Sequence, residues 1–593
     1  MAMHVLPQWL RHYRRPWLAG DLTAGLIVTV MLIPQSLAYA MLAGLPPQVG
    51  LYASLLPLVA YALIGSSMTL AVGPVAVASL MTASALQPLA TAGSPEYVSL
   101  AMQLALLSGV MLLVFGALRL GFVAHLLSHP VISGFISGSA IVISVGQLPS
   151  LLGLNVPAHG VWDTLHGLLT ALPQTQPVTL ALGAGSVLCL WLARRHLAPA
   201  LTRLGVPPAV AELLSKLAPM AAVLISTALV ALLDLSRTAG VRIVGAVPQG
   251  LPSLTLPLPN LDTVGALLLP ALLIALVGFV ESVSVAQSLA LKRQERIHPN
   301  RELLGLGAAN VASALSGGYP VTGGFARSVV NFAAGARTPL AGVISAVLMA
   351  VVVAAFTDVF YHLPKAVLAA TIIVAVTALI DTRTLRDAWR YDRGDALSLL
   401  ATAFGVIALG VEAGIAIGVA CSLGVLVWRS SHPHIAVVGR VPGTQHFRNV
   451  ERHQVETVPG LLALRVDESL YFANAAVIED RIEAHLAAQP EIRQVLLVCP
   501  AVNQIDTTGL GMLTELQRSL ARRGITLALS EVKGPVMDRL RHTPLGHALE
   551  GQIFLSTHEA FEHARRRLIN APSAPKPASG AAWRGTGPAA PRP

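Results

Sequence analysis

From about residue 22 to residue 428 the chain repeats one pattern, a run of apolar residues, a short polar break, then another run. Fourteen such runs can be read, at 22–43, 50–65, 73–86, 98–117, 130–148, 177–193, 217–234, 264–290, 303–317, 324–334, 339–356, 364–380, 395–409 and 412–428. Several approach the roughly 20 residues a helix needs to cross about 30 Å of hydrocarbon. Others are shorter or broken by Gly and Pro. Past about His432 the texture changes. Short β-rich runs, "LLALRVD" (461–467), "VLLVC" (495–499) and "ITLALSE" (525–531), alternate with amphipathic helical stretches near 474–488, 508–523 and 557–568. This alternation predicts a soluble α/β domain. The Pro/Gly/Ala-rich end, "APSAPKPASGAAWRGTGPAAPRP", predicts a disordered tail. The expected division is a cytoplasmic segment 1–20, a membrane domain 21–430, a linker 431–455, the α/β domain 456–568 and the tail 569–593.

Composition agrees with the pattern. Hydrophobic residues make up 54% of the 593 residues and charged residues 12%, and mean hydropathy is +0.66, more apolar surface than a soluble chain can bury. The net charge of +10 would suit nucleic acid, but its placement argues otherwise. The even-numbered loops between the fourteen runs carry fourteen basic residues: Arg119, Arg194, Arg195, Arg203, Lys216, Lys292, Arg293, Arg296, Arg301, Arg337, Arg383, Arg386, Arg390 and Arg393. The odd-numbered loops carry three, Arg237, Arg242 and Lys365. That asymmetry follows the positive-inside rule, with both termini cytoplasmic and a multi-pass protein of the inner, cell membrane. No nucleic-acid partner is expected. Arg11, Arg14 and Arg15 before an apolar run ending in "AYA" resemble a signal peptide, but the run is about 20 residues long and more spans follow, so it reads as the first span. The three cysteines, Cys189, Cys421 and Cys499, form no metal or disulfide pattern.

Two short runs break alike. "TLAVGPVAVASLM" (69–81) and "PVTGGFARSVV" (320–330) each place a Gly/Pro knot before a short apolar helix. They are the third spans of two sets of seven. Paired interruptions at matching positions point to a 7+7 inverted repeat and to its binding site. A helix that starts at membrane depth aims free N–H groups into a cavity and behaves like about +0.5 charge at its N-terminus. The first-turn residues Val75 and Ala76 of one knot, and Gly324, Phe325 and Ala326 of the other, are therefore candidate anion ligands. Arg327 follows directly. An arginine at the bilayer centre costs roughly 2.5–3.5 kcal/mol on insertion scales, and a bound doubly charged oxyanion in a hydrated cavity would offset that. The alternative is an arginine that snorkels to the cytoplasmic surface.

Glu281 is the only acid between Asp262 and Glu295. Ser284, Gln287 and Ser288 follow it on one narrow helical face. Intramembrane acids are functional candidates; Glu281 could carry a proton or pair statically with Arg327. In the first span Gln35 and Tyr39 lie one turn apart after Pro34 and can line a cavity wall, or Tyr39 can simply pack at an interface.

These residues resemble the SulP family of sulfate permeases and anion transporters over roughly 10–565. "PPQVGLYASLLPLVAYALIGSSM" (46–68) looks like the family signature, with Val49 and Met68 departing from it, and "PQSLAYA" (34–40) and "YPVTGGFARSVVN" (319–331) are family-like. The resemblance implies fourteen spans with a mobile domain holding the anion between spans 3 and 10. It implies that Arg327 is the span-10 arginine and Glu281 the span-8 acid tied to proton coupling. Sodium-coupled bicarbonate members place a hydroxyl one turn after that acid, where this chain has Val285, and position 326, often serine, is Ala326. "NQIDTTGLGML" (503–513) resembles the phosphoacceptor loop of a STAS domain, which makes Thr507 the candidate regulatory phosphosite. The plainer reading is that Asp506 or Thr507 caps the following helix. The family reading of this domain is dimer contact and regulation, with a homodimer and a STAS-binding cytoplasmic protein as partners.

The leading expectation is proton-coupled sulfate uptake. The alternatives are the same carrier moving bicarbonate, a C4-dicarboxylate or chloride by symport or exchange, an uncoupled anion channel, and a membrane-anchored scaffold. No nucleophile triad, metal cluster or phosphate-binding glycine loop is present in the sequence, so no enzyme, metal or cofactor is expected.

Overall fold

The computed structural model describes residues 7–125, 128–156 and 160–569. The expected tail lies outside these residues beyond its first position. Two compact units divide after Leu423.

In the first unit helix falls on all fourteen apolar runs. Among the described residues eight helices are long and apolar enough to cross a membrane alone, or nine if the bent pair Val210–Lys216 and Ala218–Leu232 is one span. The helices that build the site are α1 (Trp17–Leu42), α2 (Leu56–Ile64), α3 (Ala76–Leu86), α4 (Pro95–Ala117), α5 (His129–Leu152), α6 (Leu261–Leu291), α7 (Pro299–Leu315), α8 (Phe325–Ala333), α9 (Leu340–Ala355), α10 (Lys365–Thr377) and the polar α11 (Thr382–Tyr391). Proline stands in the first turn of α2, α4, α5 and α7, where its missing N–H removes no helical bond. Helices of the two halves pack together. A Cβ on Gly109 of α4 would lie 2.8 Å from the Val311 nitrogen of α7, so this crossing needs a residue with no side chain.

Between α2 and α3, and again between α7 and α8, the chain leaves the helix as a two-residue strand. β1 (Val72–Gly73) and β2 (Thr322–Gly323) pair antiparallel, Val72 opposite Gly323 and Gly73 opposite Thr322. Extended backbone inside a bundle cannot reach water, so its polar groups need protein partners. They have them. Gly323 N–H donates to Ser282 Oγ of α6 at 2.8 Å. Asn310 of α7 exchanges two bonds of 2.9 Å with the Val321 backbone. Ser328 Oγ of α8 accepts from Ala71 N–H at 2.9 Å, and Asn331 Nδ2 donates to Thr69 O at 3.0 Å.

Two buried carboxylates fasten the ends of these segments. Glu302 Oε1 accepts from Ser66 N–H (2.8 Å), Ser66 Oγ (2.6 Å) and Ser67 N–H (3.0 Å), and its Oε2 accepts from Tyr61 OH at 2.7 Å. Asp21 of α1 accepts from the N–H groups of Arg337 and Thr338 at 2.6 and 3.0 Å. The first clamp fixes the lead-in to β1, the second the turn after α8.

The second unit carries a six-stranded sheet: β3 (Ile435–Arg440), β4 (Phe447–Asn449), β5 (Leu461–Val466), β6 (Gln494–Val498), β7 (Thr526–Ser530) and β8 (Ile553–Phe554), in the order β4-β3-β5-β6-β7-β8. β5 to β8 run parallel, and β3 is antiparallel to β5. Helices α12 (Ala475–Ala488), α13 (Thr507–Arg522), α14 (Gly534–Leu540) and α15 (Thr557–Ile569) follow the parallel strands. The segment 431–455, expected as a linker, is instead part of this sheet, because "IAVVGR" buries Ala436 and Val438. Too short to register as a domain element by pattern, it gains its stability from pairing with β5.

Candidate functional site

Because β1 and β2 are antiparallel, α3 and α8 leave their crossing in opposite senses, and both N-termini face it. Neither Val75 nor Gly324, the residues that open these helices, caps with a side-chain bond, and the first-turn N–H groups of any helix lack intrahelical acceptors. Arg327 sits in the first turn of α8 and is only 2% exposed. Its guanidinium lies against both knots. A Cβ on Gly324 would come within 2.9 Å of Nη2, and one on Gly73 within 3.2 Å of Nη1. The absence of side chains at these glycines makes the space for the cation. Among the described residues neither terminal nitrogen has a hydrogen-bond partner. A buried guanidinium with unmet donors is costly unless something else accepts from it.

The crossing opens into a cavity of about 70 Å³. A water needs about 10–15 Å³ of such space, so several waters or one small oxyanion fit. Gln35 and Tyr39 of α1, Val75 and Ala76 at α3, Glu281 of α6, and Gly324, Phe325, Ala326 and Arg327 at α8 all line it. Pro74 and Val77, and Ala375, Val376 and Leu379 at and beyond the end of α10, complete the wall. The Arg327 terminal nitrogens donate no bond to Glu281, so the static pair is not formed. Of the polar face expected on α6, only Glu281 reaches the cavity. Ser284 and Ser288 are exposed elsewhere, and Ser284 Oγ bonds back to Val280 O at 2.7 Å.

Pattern reading missed the residues that hold the crossing. Ser79 Oγ of α3 and Tyr319 OH lie 2.9 Å apart, and Ser282, Asn310, Ser328 and Asn331 saturate the strands as described. One signal was available. Ser328 and Asn331 fall at i and i+3, a polar pair on one face of a short helix whose only other polar residue is Arg327. The α10 wall is apolar like any span and carries no such signal.

In the second unit Asp506 takes the capping role. Its Oδ1 accepts from Gly509 N–H at 2.7 Å and its Oδ2 from Phe472 N–H at 3.0 Å. The Gly509 N–H above all holds this carboxyl below the ordinary aspartate range. Thr507 stands exposed in the first turn of α13. Among the described residues no group of His, Cys, Asp and Glu could hold a metal.

A profile described as the sulfate permease family matches residues 18–402, and a STAS domain profile matches 452–560. A probable sulfate transporter of Mycobacterium tuberculosis (strain ATCC 25618 / H37Rv) is 36% identical over 560 residues, covering 94% of this chain and 97% of its own. Sulfate transporter 4.1, chloroplastic, of Arabidopsis thaliana is 35% identical, covering 88% and 76%. Among solved structures, the murine solute carrier 26 family member A9 anion transporter superposes with a TM-score of 0.86 at 23% identity, covering 95% of this chain and 94% of that one. The transmembrane domain of a cyanobacterium bicarbonate transporter gives 0.57 at 27%, covering 69% and 98%.

Proposed function

This chain belongs to the sulfate permease family and carries a STAS domain after its membrane part, and we propose that it is a secondary active anion carrier taking up sulfate together with protons. As a family member it is a multi-pass membrane transporter rather than an enzyme. The observation that carries the substrate reading is the buried Arg327 guanidinium, whose two unpartnered terminal nitrogens meet two uncapped helix starts at one small cavity. Two helix N-termini and one guanidinium amount to about +2, which matches a tetrahedral dianion. Gln35 and Tyr39 supply neutral polar contacts, and Val75, Ala76, Phe325 and Ala326 present the backbone N–H groups; the Gly324 N–H, expected among them, is already donated to Ala71 O at 3.1 Å, so Gly324 contributes space for the guanidinium instead.

The place of Glu281 supports proton coupling. A carboxylate on the wall of a dianion site repels the substrate, whereas a carboxylic acid there can donate to it. Binding therefore favours the protonated acid, and release favours its ionisation. A dianion entering against 100 mV, negative inside, works against about 4.6 kcal/mol, and each accompanying proton removes half of that. With Val285 and Ala326 in place of hydroxyl residues, a sodium ion finds fewer oxygen ligands here. Bicarbonate is the second reading, favoured by the small cavity and by the likeness to the bicarbonate transporter domain. Cytoplasmic termini, a 7+7 inverted repeat, a homodimer and Thr507 as a regulatory phosphosite belong to the same proposal.

The test is labelled sulfate uptake into proteoliposomes of the full-length chain, with and without an inward proton gradient, and with bicarbonate, fumarate and chloride as competitors. Gradient-driven accumulation is expected, and Glu281→Gln should abolish it while leaving sulfate/sulfate exchange. Accumulation unchanged in that variant would remove Glu281 from coupling. Competition by bicarbonate stronger than by sulfate itself would transfer the carrier to the second reading.

A further inference from the structure

Helix α11, the short polar helix after α10, has no part in the site. Its inner side, Thr384, Leu385 and Ala388, is half-buried, while Arg383, Arg386 and Arg390 are exposed. At 100° per residue these three arginines fall in one sector of about 60°. Trp389 and Tyr391 flank that sector, 51% and 93% exposed. Asp387 shares the exposed side, so the face carries a net charge of about +2. Among the described residues none of the three guanidiniums takes part in an ion pair or a side-chain hydrogen bond. Other arginines of the basic loops do have intramolecular tasks. Arg293 donates to Ala336 O, Arg194 to Val374 O, and Arg301 to Ile64 O and Gly65 O.

We propose that α11 is a binding surface for the headgroups of anionic phospholipids on the basic side of the membrane. Guanidinium forks donate to phosphate oxygens two at a time. Exposed Trp and Tyr at the end of an apolar span settle at headgroup depth, and basic segments next to a span draw acidic lipids towards them. The helix that follows, Arg393–Leu409, exposes Leu397, Leu400 and Phe404, an apolar flank for the acyl chains of the same lipid. The α/β unit is the rival occupant, but residues 432–569 hold fifteen acidic and fifteen basic side chains and offer no net charge complementary to the arginines. The bilayer does.

The test uses Trp389 as the reporter. Full-length protein is reconstituted in nanodiscs of phosphatidylcholine doped with acyl-brominated lipid, either brominated phosphatidylglycerol or brominated phosphatidylcholine at equal bromine content. The difference between wild type and Trp389→Phe isolates quenching at this tryptophan. Brominated phosphatidylglycerol should quench it several-fold more than brominated phosphatidylcholine, the excess should shrink in high salt, and it should vanish in Arg383→Gln/Arg386→Gln/Arg390→Gln. The matching triple Lys variant should keep most of the excess, because the charge remains. Equal quenching by the two lipids in wild type, or an excess that survives the triple Gln variant, would overturn the assignment. Sulfate uptake is read separately and does not enter this outcome.

Discussion

Gly324→Ala is the sharpest perturbation of the proposed anion site, because the structure says what one methyl group would meet. Gly324 has φ of −83°, a conformation any residue adopts, so alanine brings no backbone strain. Its Cβ would lie 2.9 Å from Nη2, 3.0 Å from Nε and 3.3 Å from Cζ of Arg327. Ordinary contact needs about 3.5 Å or more, so the guanidinium must retreat by roughly half an ångström. That is enough to break or badly bend one charge-assisted bond to an anion, worth about 1.5–3 kcal/mol. The KM for sulfate should therefore rise roughly tenfold to a hundredfold, with thermal stability close to wild type. Uptake into proteoliposomes over a sulfate series measures it. Gly342→Ala is the control, since a Cβ there meets nothing within 4 Å. If Gly324→Ala leaves KM unchanged in a folded carrier, the guanidinium does not grip the substrate from this position.

Further outcomes follow from the same geometry. In Glu302→Gln the amide oxygen can keep the three bonds that Oε1 accepts and the NH₂ can donate to Tyr61 OH; the expected loss is about 1–2 kcal/mol, against 3 kcal/mol or more for Glu302→Ala, which strands buried donors. Thermal unfolding in detergent ranks the two, and equal losses would contradict the bonding scheme. Burial above all pushes the Cys499 thiol up to about 12, so at pH 7.4 its thiolate fraction is roughly a thousandfold below that of an ordinary thiol. Maleimide should label Cys499 only after denaturation; labelling of native protein at the rate of a free thiol would refute its burial.

The membrane architecture was legible because lipid demands long apolar runs and the basic residues fall in alternate loops. The lining of the candidate site was legible because two features are rare inside such runs: a Gly/Pro knot, and a charge. Arg327, Glu281, Gln35 and Tyr39 each stand out as polar residues in apolar surroundings, and all four line one cavity. What holds the cavity together was hidden. Ser79, Ser282 and Asn310 are small polar residues of a kind that helices tolerate anywhere, and only the fold reveals that Ser282 and Asn310 bond the backbone at 321–323 and Ser79 the hydroxyl of Tyr319. Ala375, Val376 and Leu379 look like lipid-facing positions until α10 is docked. In the α/β unit, β3 and β4 escaped because a six-residue and a three-residue strand give too short an alternation to separate from a linker; the pairing of β3 with β5, which carries β4 on its other edge, is a long-range fact.

The central claim is that Arg327 and the two helix starts beside it hold the anion. Equilibrium binding of labelled sulfate to purified full-length protein, wild type against Arg327→Gln at matched folded fraction, tests it most directly. The account predicts saturable binding in wild type and a loss of at least tenfold in affinity in the variant, since a glutamine amide supplies neither the charge nor the paired donors. Sulfate bound equally well by Arg327→Gln would contradict it.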